Sequence, residues 1–261
     1  MELDVASREA LGGLGALFSD IDDTISTDGK ITSAAYDALW RAHESGLGVV
    51  PVTGRPAGWC DHIARMWPVE AVIGENGGLY FRLREGAMER VFMDDAATRA
   101  RFRQKLAAVR DRILREVPGC GVASDQTYRE YDVAIDYCED VPPLSDRQVR
   151  RIVAIFKESG AHAKVSSIHV NGWYGDFDKL SMVKRYVKEA HGLDIALHRR
   201  RYAFIGDSPN DEPMFAYFPL SFGVANIRRF LPVMKHPPPF LTDRAGGAGF
   251  AELVDAILGA R

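Results

Sequence analysis

Three carboxylates crowd into four positions of this chain. Asp20, Asp22 and Asp23 close the run Leu17-Phe18-Ser19-Asp20-Ile21-Asp22-Asp23-Thr24-Ile25. Like charges at this spacing raise the pKa of at least one member unless a metal ion or a basic side chain offsets them. Ala16 to Ile21 is a short apolar run ending in carboxylates, which reads as a strand buried in a parallel sheet. The stretch therefore calls for a central strand with a cation-holding site at its C-terminal end.

The residues that follow keep to the same plan. Thr32 or Ser33 can cap a helix to about Ser45, with Leu39 and Trp40 on its buried face. Gly48 to Val52 reads as a second buried strand. Pro56 suits the first turn of a helix in which Trp59, Ile63 and Met66 recur at helical spacing. Ala71 to Ile73 reads as a third strand, closed by Gly74-Glu75-Asn76-Gly77-Gly78. Strand–helix alternation of this kind predicts an α/β, doubly wound parallel sheet of Rossmann-like type.

The pattern then changes. Leu79 to Phe81 and Arg90 to Phe92 predict a hairpin, Asp94 to Glu116 a long helix, Tyr131 to Tyr137 a strand and Ser145 to Ser159 a helix. Ala163 to Val165 and Ile168 to Val170 predict two short strands. Alternation returns with a helix from Asp178, a strand at Tyr202 to Ile205, a short helix from Asp211, a strand at Leu220 to Val224 and a last helix at Phe250 to Leu258. We expect a discontinuous core, 1–87 and 173–261, with an α+β lobe inserted over 88–172.

Composition narrows the function classes. A chain of 261 residues, 46% hydrophobic and 26% charged, can bury a large core without disulfide help. Its formal net charge of -3 carries no nucleic-acid or membrane footprint. The basic clusters Arg147 to Arg151 and His198 to Arg201 read as solvated faces. Cys60, Cys120 and Cys138 are scattered, with neither a disulfide framework nor zinc-ligand spacing. No run approaches the ~18 apolar residues of a membrane span, and Met1 to Gly15 lacks the apolar core of a signal peptide. The expected setting is a reduced cytoplasm, as a monomer or homodimer with no nucleic-acid or membrane partner.

In open α/β sheets, ligands bind at the carboxyl ends of the strands. Four predicted strands end in polar clusters: Asp20/Asp22, Thr53-Gly54-Arg55, Glu75-Asn76-Gly77-Gly78 and Gly206-Asp207-Ser208-Pro209-Asn210-Asp211. Their chemistry suits phosphoryl transfer. A carboxylate nucleophile needs its own charge and that of the phosphate neutralised, which Mg2+ does with a few carboxylates, phosphate oxygens and waters. Asp20 and Asp207 are the expected direct ligands, with the backbone carbonyl of Asp22. The Asp22 side chain, two residues along an extended strand, is expected beside Asp20 as acid/base. Thr53 and the N–H groups beside Gly54 can hold phosphate at a helix N-terminus, and Lys179 can bring a cation to phosphate and nucleophile.

At this point the chain resembles a known family. Asp20-Ile21-Asp22-Asp23-Thr24 looks like the DxDx[TV] signature of the haloacid dehalogenase-like (HAD) superfamily. Thr53-Gly54-Arg55, Lys179 and Gly206-Asp207-Ser208-Pro209-Asn210-Asp211 are similar to its second, third and fourth motifs, in the family's order. The resemblance implies a Mg2+-dependent phosphatase working through an aspartyl-phosphate: Asp20 the nucleophile, Asp22 the acid/base, Lys179 catalytic, and Asp207 with Asp211 completing the metal site. An Asp two residues after the nucleophile marks phosphatases and phosphomutases, and dehalogenases and P-type ATPases lack it. The interval from Asp20 to Thr53 is too short for a domain, whereas that from Thr53 to Lys179 places a cap as in the C2 subclass. The lobe's element order is similar to the IIB branch, with its Cof-type, sucrose-phosphate, trehalose-phosphate and mannosyl-3-phosphoglycerate phosphatases. Sugar phosphates or their derivatives are then the expected substrates, with Thr53, Gly54, Arg55, Asn76, Asn210 and Lys179 around the phosphate. Arg129, Glu130, His169 and Asn171 are the cap candidates for the leaving group.

Other readings of these features differ in force. An EF-hand loop from Asp20 needs Gly and Glu where Ile25 and Ile31 stand. Gly12-Gly13-Leu14-Gly15 precedes a strand and reads as a flexible lead-in. Gly246-Gly247-Ala248-Gly249 reads as a loop before the last helix. Asp23 can simply cap a turn, Asn76 can be structural, and Arg55 can pair with a core carboxylate. Trp173-Tyr174 reads as hinge packing. A phosphomutase, or a non-catalytic regulatory domain of a sugar-phosphate synthase, are the alternatives to a phosphatase.

Overall fold

The computed structural model describes residues 8–166 and 168–261. The first stretch of core holds α1 (Arg8–Gly12), β1 (Ala16–Ser19), the ribbon β2 (Ser26–Thr27) and β3 (Lys30–Ile31), α2 (Ser33–Glu44), β4 (Gly48–Pro51), α3 (Ala57–Met66) and β5 (Val72–Gly74), then the hairpin β6 (Leu79–Arg84) and β7 (Ala87–Phe92). Next come α4 (Ala96–Glu116), β8 (Gly121–Val122), β9 (Val133–Asp136), α5 (Asp146–Glu158), β10 (His162–Val165) and β11 (His169–Trp173). The chain returns through α6 (Lys179–His191), β12 (Tyr202–Gly206), α7 (Glu212–Tyr217), β13 (Leu220–Gly223), β14 (Phe240–Leu241) and α8 (Gly246–Leu258).

The main sheet runs β14-β13-β12-β1-β4, every pair parallel. A parallel bridge from Val52 to Ile73 carries it to β5, which opens an antiparallel sheet with β6 and β7. Strand β1 is central and wholly buried. Alternate side chains serve opposite faces. Leu17, Val49, Ala203 and Ile205 pack under α2, α3 and α8, while Phe18, Val50 and Phe204 pack under α6 and α7. The polarity of the strand ends, rather than of their middles, is therefore what reaches solvent.

The lobe has an antiparallel sheet, β10-β11-β9-β8, covered on one face by α4 and α5. Val133, Ile135 and Val170 point into that cover, packed on Ile113 and Phe156. Residues one step away on the same strands must point to the other face. His169 and Asn171 do so, and Lys164 pairs with Asn171 in register. This polar face looks at the core. Tyr131, Trp173 and Phe177 form a small aromatic cluster with Phe92 and Met93 where the chain crosses between the two parts. Trp173 therefore packs at the crossing, whereas Tyr174 packs inside the lobe against Phe102, ring centroids 5.9 Å apart.

Several elements differ from the expectation. Strand β1 ends at Ser19, so Asp22 lies in a turn and not along an extended strand. Trp40, Trp59 and Met66 are exposed; α3 buries Ala57, Cys60, Ile63 and Ala64 instead, small residues that let the helix sit close to the sheet. The lead-in Gly12 to Gly15 runs on from the end of helix α1, with Leu11 and Leu14 buried, while residues 1–7 lie outside the described residues. Helix α8 starts at Gly246, so the glycine run is helical. A Cβ on Gly247 would stand 2.6 Å from the Ile25 carbonyl, so a helix that close to the β2 segment excludes any side chain there. The strand expected from Tyr131 begins only at Val133, because the N–H groups of Tyr131 and Asp132 are drawn to Glu75.

Candidate active site

Chain order places β4 and β5 to one side of β1 and the later strands β12 to β14 to the other. The sheet's order reverses between β1 and β12, and at such a switch point a crevice opens past the strand ends. Asp20 follows β1 and Asp207 follows β12, and Asp20 N–H donates to the Ile205 carbonyl at 3.0 Å. Asp211 comes in from the turn after Asp207 and is fully buried. Carboxylate oxygens of Asp20, Asp207 and Asp211 all lie within 4.8 Å of one another.

Lys179, the first residue of α6, answers this charge. Its Nζ donates to Asp20 Oδ1 at 2.7 Å and to Asp211 Oδ1 at 2.9 Å. The loop after β5 seats that helix end. Gly77, at φ 104°, runs so close to it that a Cβ would stand 2.0 Å from the Asp178 carbonyl oxygen. One cation does not balance three carboxylates. Burial pushes Asp20 up to about 7, against the pull of Lys179 and with repulsion from Asp211 and Asp22. Burial, then Asp20 and Asp211, pushes Asp207 to about 8. Asp211 Oδ2 is buried with no hydrogen-bond partner. An oxygen-rich, under-neutralised cluster with an orphaned carboxylate oxygen fits a hard divalent cation such as Mg2+.

Above the cluster is a cavity of about 350 Å³. Asp20, Asp22, Lys179 and Asp207 line its core side, with Gly54, Arg55, Asn76 and Asn210 from the loops and Arg129, His169 and Asn171 from the lobe. The expected site residues thus converge, with two exceptions. Thr53 is fully buried and does not line the cavity; its Oγ1 accepts from Arg55 N–H at 3.1 Å and so shapes the loop. Glu130 pairs with Arg103 at 3.1 Å, away from the cavity. Asp22 is held by Arg55, whose Nη2 lies 2.6 Å from its Oδ1 and whose guanidinium sits over the Trp59 ring. Arg129 is buried between Asp125 and Asp132 and also donates to the Gly54 carbonyl at 3.2 Å. Asn171 donates to Asp132 at 2.8 Å. His169 Nε2 lies 2.8 Å from Glu139 Oε2, outside hydrogen-bonding geometry. Asn76 takes φ 55°, which Asn tolerates better than most residues, and Asp23 takes φ 56° in the turn after β1.

The roles of two residues escape a reading of sequence alone. Glu75, 1% exposed, accepts N–H groups from Ala57, Glu130, Tyr131 and Asp132 at 2.6 to 3.2 Å. It therefore uses the first N–H of α3 and ties the loop after β5 to the lobe. Lys164 lines the cavity from β10, and its Nζ donates to the Asn210 carbonyl at 2.7 Å. A lysine in the middle of a four-residue strand was the available signal.

Residues 17–100 match the family model of the haloacid dehalogenase-like hydrolases. Structural likeness covers nearly all the chain. The 0175 protein of Thermoplasma acidophilum superposes with a TM-score of 0.71 at 19% identity, over 94% of this chain and 98% of that one. The chain has a haloacid dehalogenase-like fold. Among solved structures with this fold, a HAD subclass IIB sugar phosphatase matches with a TM-score of 0.66 at 12% identity, over 95% of this chain and 100% of that one. The sucrose-phosphatase of Synechocystis sp. PCC6803 matches with a TM-score of 0.64 at 13% identity, over 93% and 97%. At these identities the likeness is one of fold. No curated protein matches the sequence. No helix among the described residues is long and apolar enough to cross a membrane.

Proposed function

We propose that the protein is a Mg2+-dependent phosphomonoesterase acting on a small phosphorylated metabolite, a sugar phosphate or a derivative of one. The observation that carries this is the meeting of Asp20, Asp207, Asp211 and Lys179 under the cavity. The hydrolase family match and neighbours described as sugar and sucrose phosphatases support it. In this reading, the lobe from α4 to β11 is the cap that closes over the leaving group, and β7, from Ala87 to Phe92, stays with the core sheet.

Asp20 attacks phosphorus, forming an aspartyl-phosphate as the ester P–O bond breaks. Asp22, held by Arg55, protonates the departing oxygen and later takes the proton of the water that hydrolyses the aspartyl-phosphate. Lys179 and the loop at Gly54 hold the phosphate, in a shape that Thr53 sets from beneath. Mg2+, when bound by Asp20, Asp207, Asp211 and the Asp22 carbonyl, supplies the positive charge that lets a carboxylate approach a phosphate dianion.

Phosphate release measured over a panel of sugar phosphates, phosphoglycerate esters, nucleotides and pyridoxal phosphate tests the reading. Release with Mg2+ and none with EDTA is expected. An isomerised sugar phosphate in place of free phosphate makes the protein a mutase, and metal-independent or absent release overturns the proposal.

A further inference from the structure

Five cationic side chains line the cavity: Lys179, Arg55, Arg129, Lys164 and the exposed Arg229. Lys179 is paired with Asp20 and Asp211, Arg55 with Asp22, and Arg129 with Asp125 and Asp132. Lys164 makes no ion pair among the described residues; its hydrogen bond goes to a neutral carbonyl, that of Asn210. An ammonium carries three donors, so two remain for a ligand. The register β10–β11 sets Lys164 beside Asn171 on the lobe face turned to the core, and its Nζ reaches the turn between Asp207 and Asp211. Enclosing a cation without a counter-charge is unfavourable, and a ligand anion removes that penalty. Burial, then the charge of Lys179, holds the Lys164 pKa down at about 8, against the pull of Asp211, Asp20 and Asp178.

We propose that Lys164 selects substrates whose leaving group carries a second anionic group, so that the substrate is a phosphorylated hydroxy acid or sugar acid, or a bisphosphate, and not a neutral sugar monophosphate. This rests on the phosphatase reading and adds the charge of the leaving group to it. In this proposal the transferred phosphate lies over Asp20 and Lys179, and the second anion lies against Lys164 of β10. The small volume of the cavity suits a compact acid.

Matched substrate pairs test this: glycerol 3-phosphate against 3-phosphoglycerate, glucose 6-phosphate against 6-phosphogluconate, and fructose 6-phosphate against fructose 1,6-bisphosphate. With Mg2+, the native protein is expected to favour the more anionic member of at least one pair by about tenfold or more in kcat/KM, the strength of a charge-assisted hydrogen bond. The first two pairs report a carboxylate and the third a second phosphate. Lys164→Met is expected to bring that ratio close to one through KM, and Lys164→Arg to restore part of it. Equal rates within every pair overturn the inference and leave the phosphatase reading standing. An equal loss on both members in Lys164→Met also overturns it, and makes Lys164 a brace for the Asn210 turn or a phosphate ligand. No release from any substrate overturns the phosphatase reading itself, and this inference with it. The native comparison needs no variant, so it decides even if Lys164→Met fails to fold.

Discussion

Lys179 Nζ lies 2.7 Å from Oδ1 of Asp20, a residue 159 positions earlier in the chain. The contact joins the first and last thirds of the sequence across the inserted lobe, and it is the one ion pair Asp20 makes among the described residues. Both partners are buried, so removing the cation leaves a carboxylate cluster without its protein counter-charge. Lys179→Met is expected to destabilise the metal-free protein by about 3–5 kcal/mol, the usual cost of breaking a buried pair from one side. Chemical denaturation reads this, and added Mg2+ is expected to recover more stability in the variant than in the native protein. A variant as stable as the native protein without metal contradicts the pairing.

The raised pKa values of Asp20 and Asp207 fix the sign of a pH effect. Both acids bind protons more tightly folded than unfolded, from an ordinary 3.8 to about 7 and about 8. Between those limits the folded state holds more protons than the unfolded one, so stability of the metal-free protein falls as pH rises from about 4 to about 8 through these groups. Mg2+ favours the ionised forms and displaces those protons. Titration calorimetry near pH 7 in buffers of different ionisation enthalpy is expected to show proton release on Mg2+ binding, and the Mg2+-induced rise in Tm is expected to be larger at pH 8 than at pH 6. Metal binding with no proton release and a pH-independent shift argues against the cluster as the metal site.

Glu75 holds the lobe segment at Glu130 to Asp132 and the start of α3 with a single carboxylate. Glu75→Ala orphans these buried N–H donors and is expected to cost about 2–4 kcal/mol, with Glu75→Gln milder because one acceptor oxygen remains. The same residue positions the lobe, so KM is expected to rise in Glu75→Gln while the fold persists. An unchanged KM in a folded Glu75→Gln protein separates the loop from lobe placement.

Arg55 and Asp22 separate acid/base work from its support. Asp22→Asn is expected to lower kcat by about 10²- to 10⁴-fold, the range of general acid–base catalysis. Arg55→Met leaves the carboxylate in place without its guanidinium, so a smaller loss and a shifted pH profile of kcat are expected. Equal losses in both variants assign Arg55 to the phosphate instead.

The parallel core and its active edge were legible because each strand is an apolar run broken by a polar cluster at one end, as at Asp20, Thr53, Glu75 and Asp207. Orientation was less so. Helical spacing marks Trp59 and Met66 as companions of Ile63, yet close packing on the sheet admits Cys60 and Ala64 and turns the larger residues out. The glycines opening α8 argue for a loop by propensity, and a close helix–ribbon approach reverses that. Lys164 and Glu75 act through partners distant in sequence, Asn210 and the segment Glu130 to Asp132. Only strand register and lobe placement reveal such contacts.

The nucleophile assignment of Asp20 is the claim on which the rest depends. Acid quenching during turnover of a substrate carrying labelled phosphate is expected to leave label on the peptide containing Asp20. Asp20→Asn is expected to lose both label and phosphate release while unfolding as a cooperative, folded protein. Full activity in Asp20→Asn, or label on a different residue, contradicts the account.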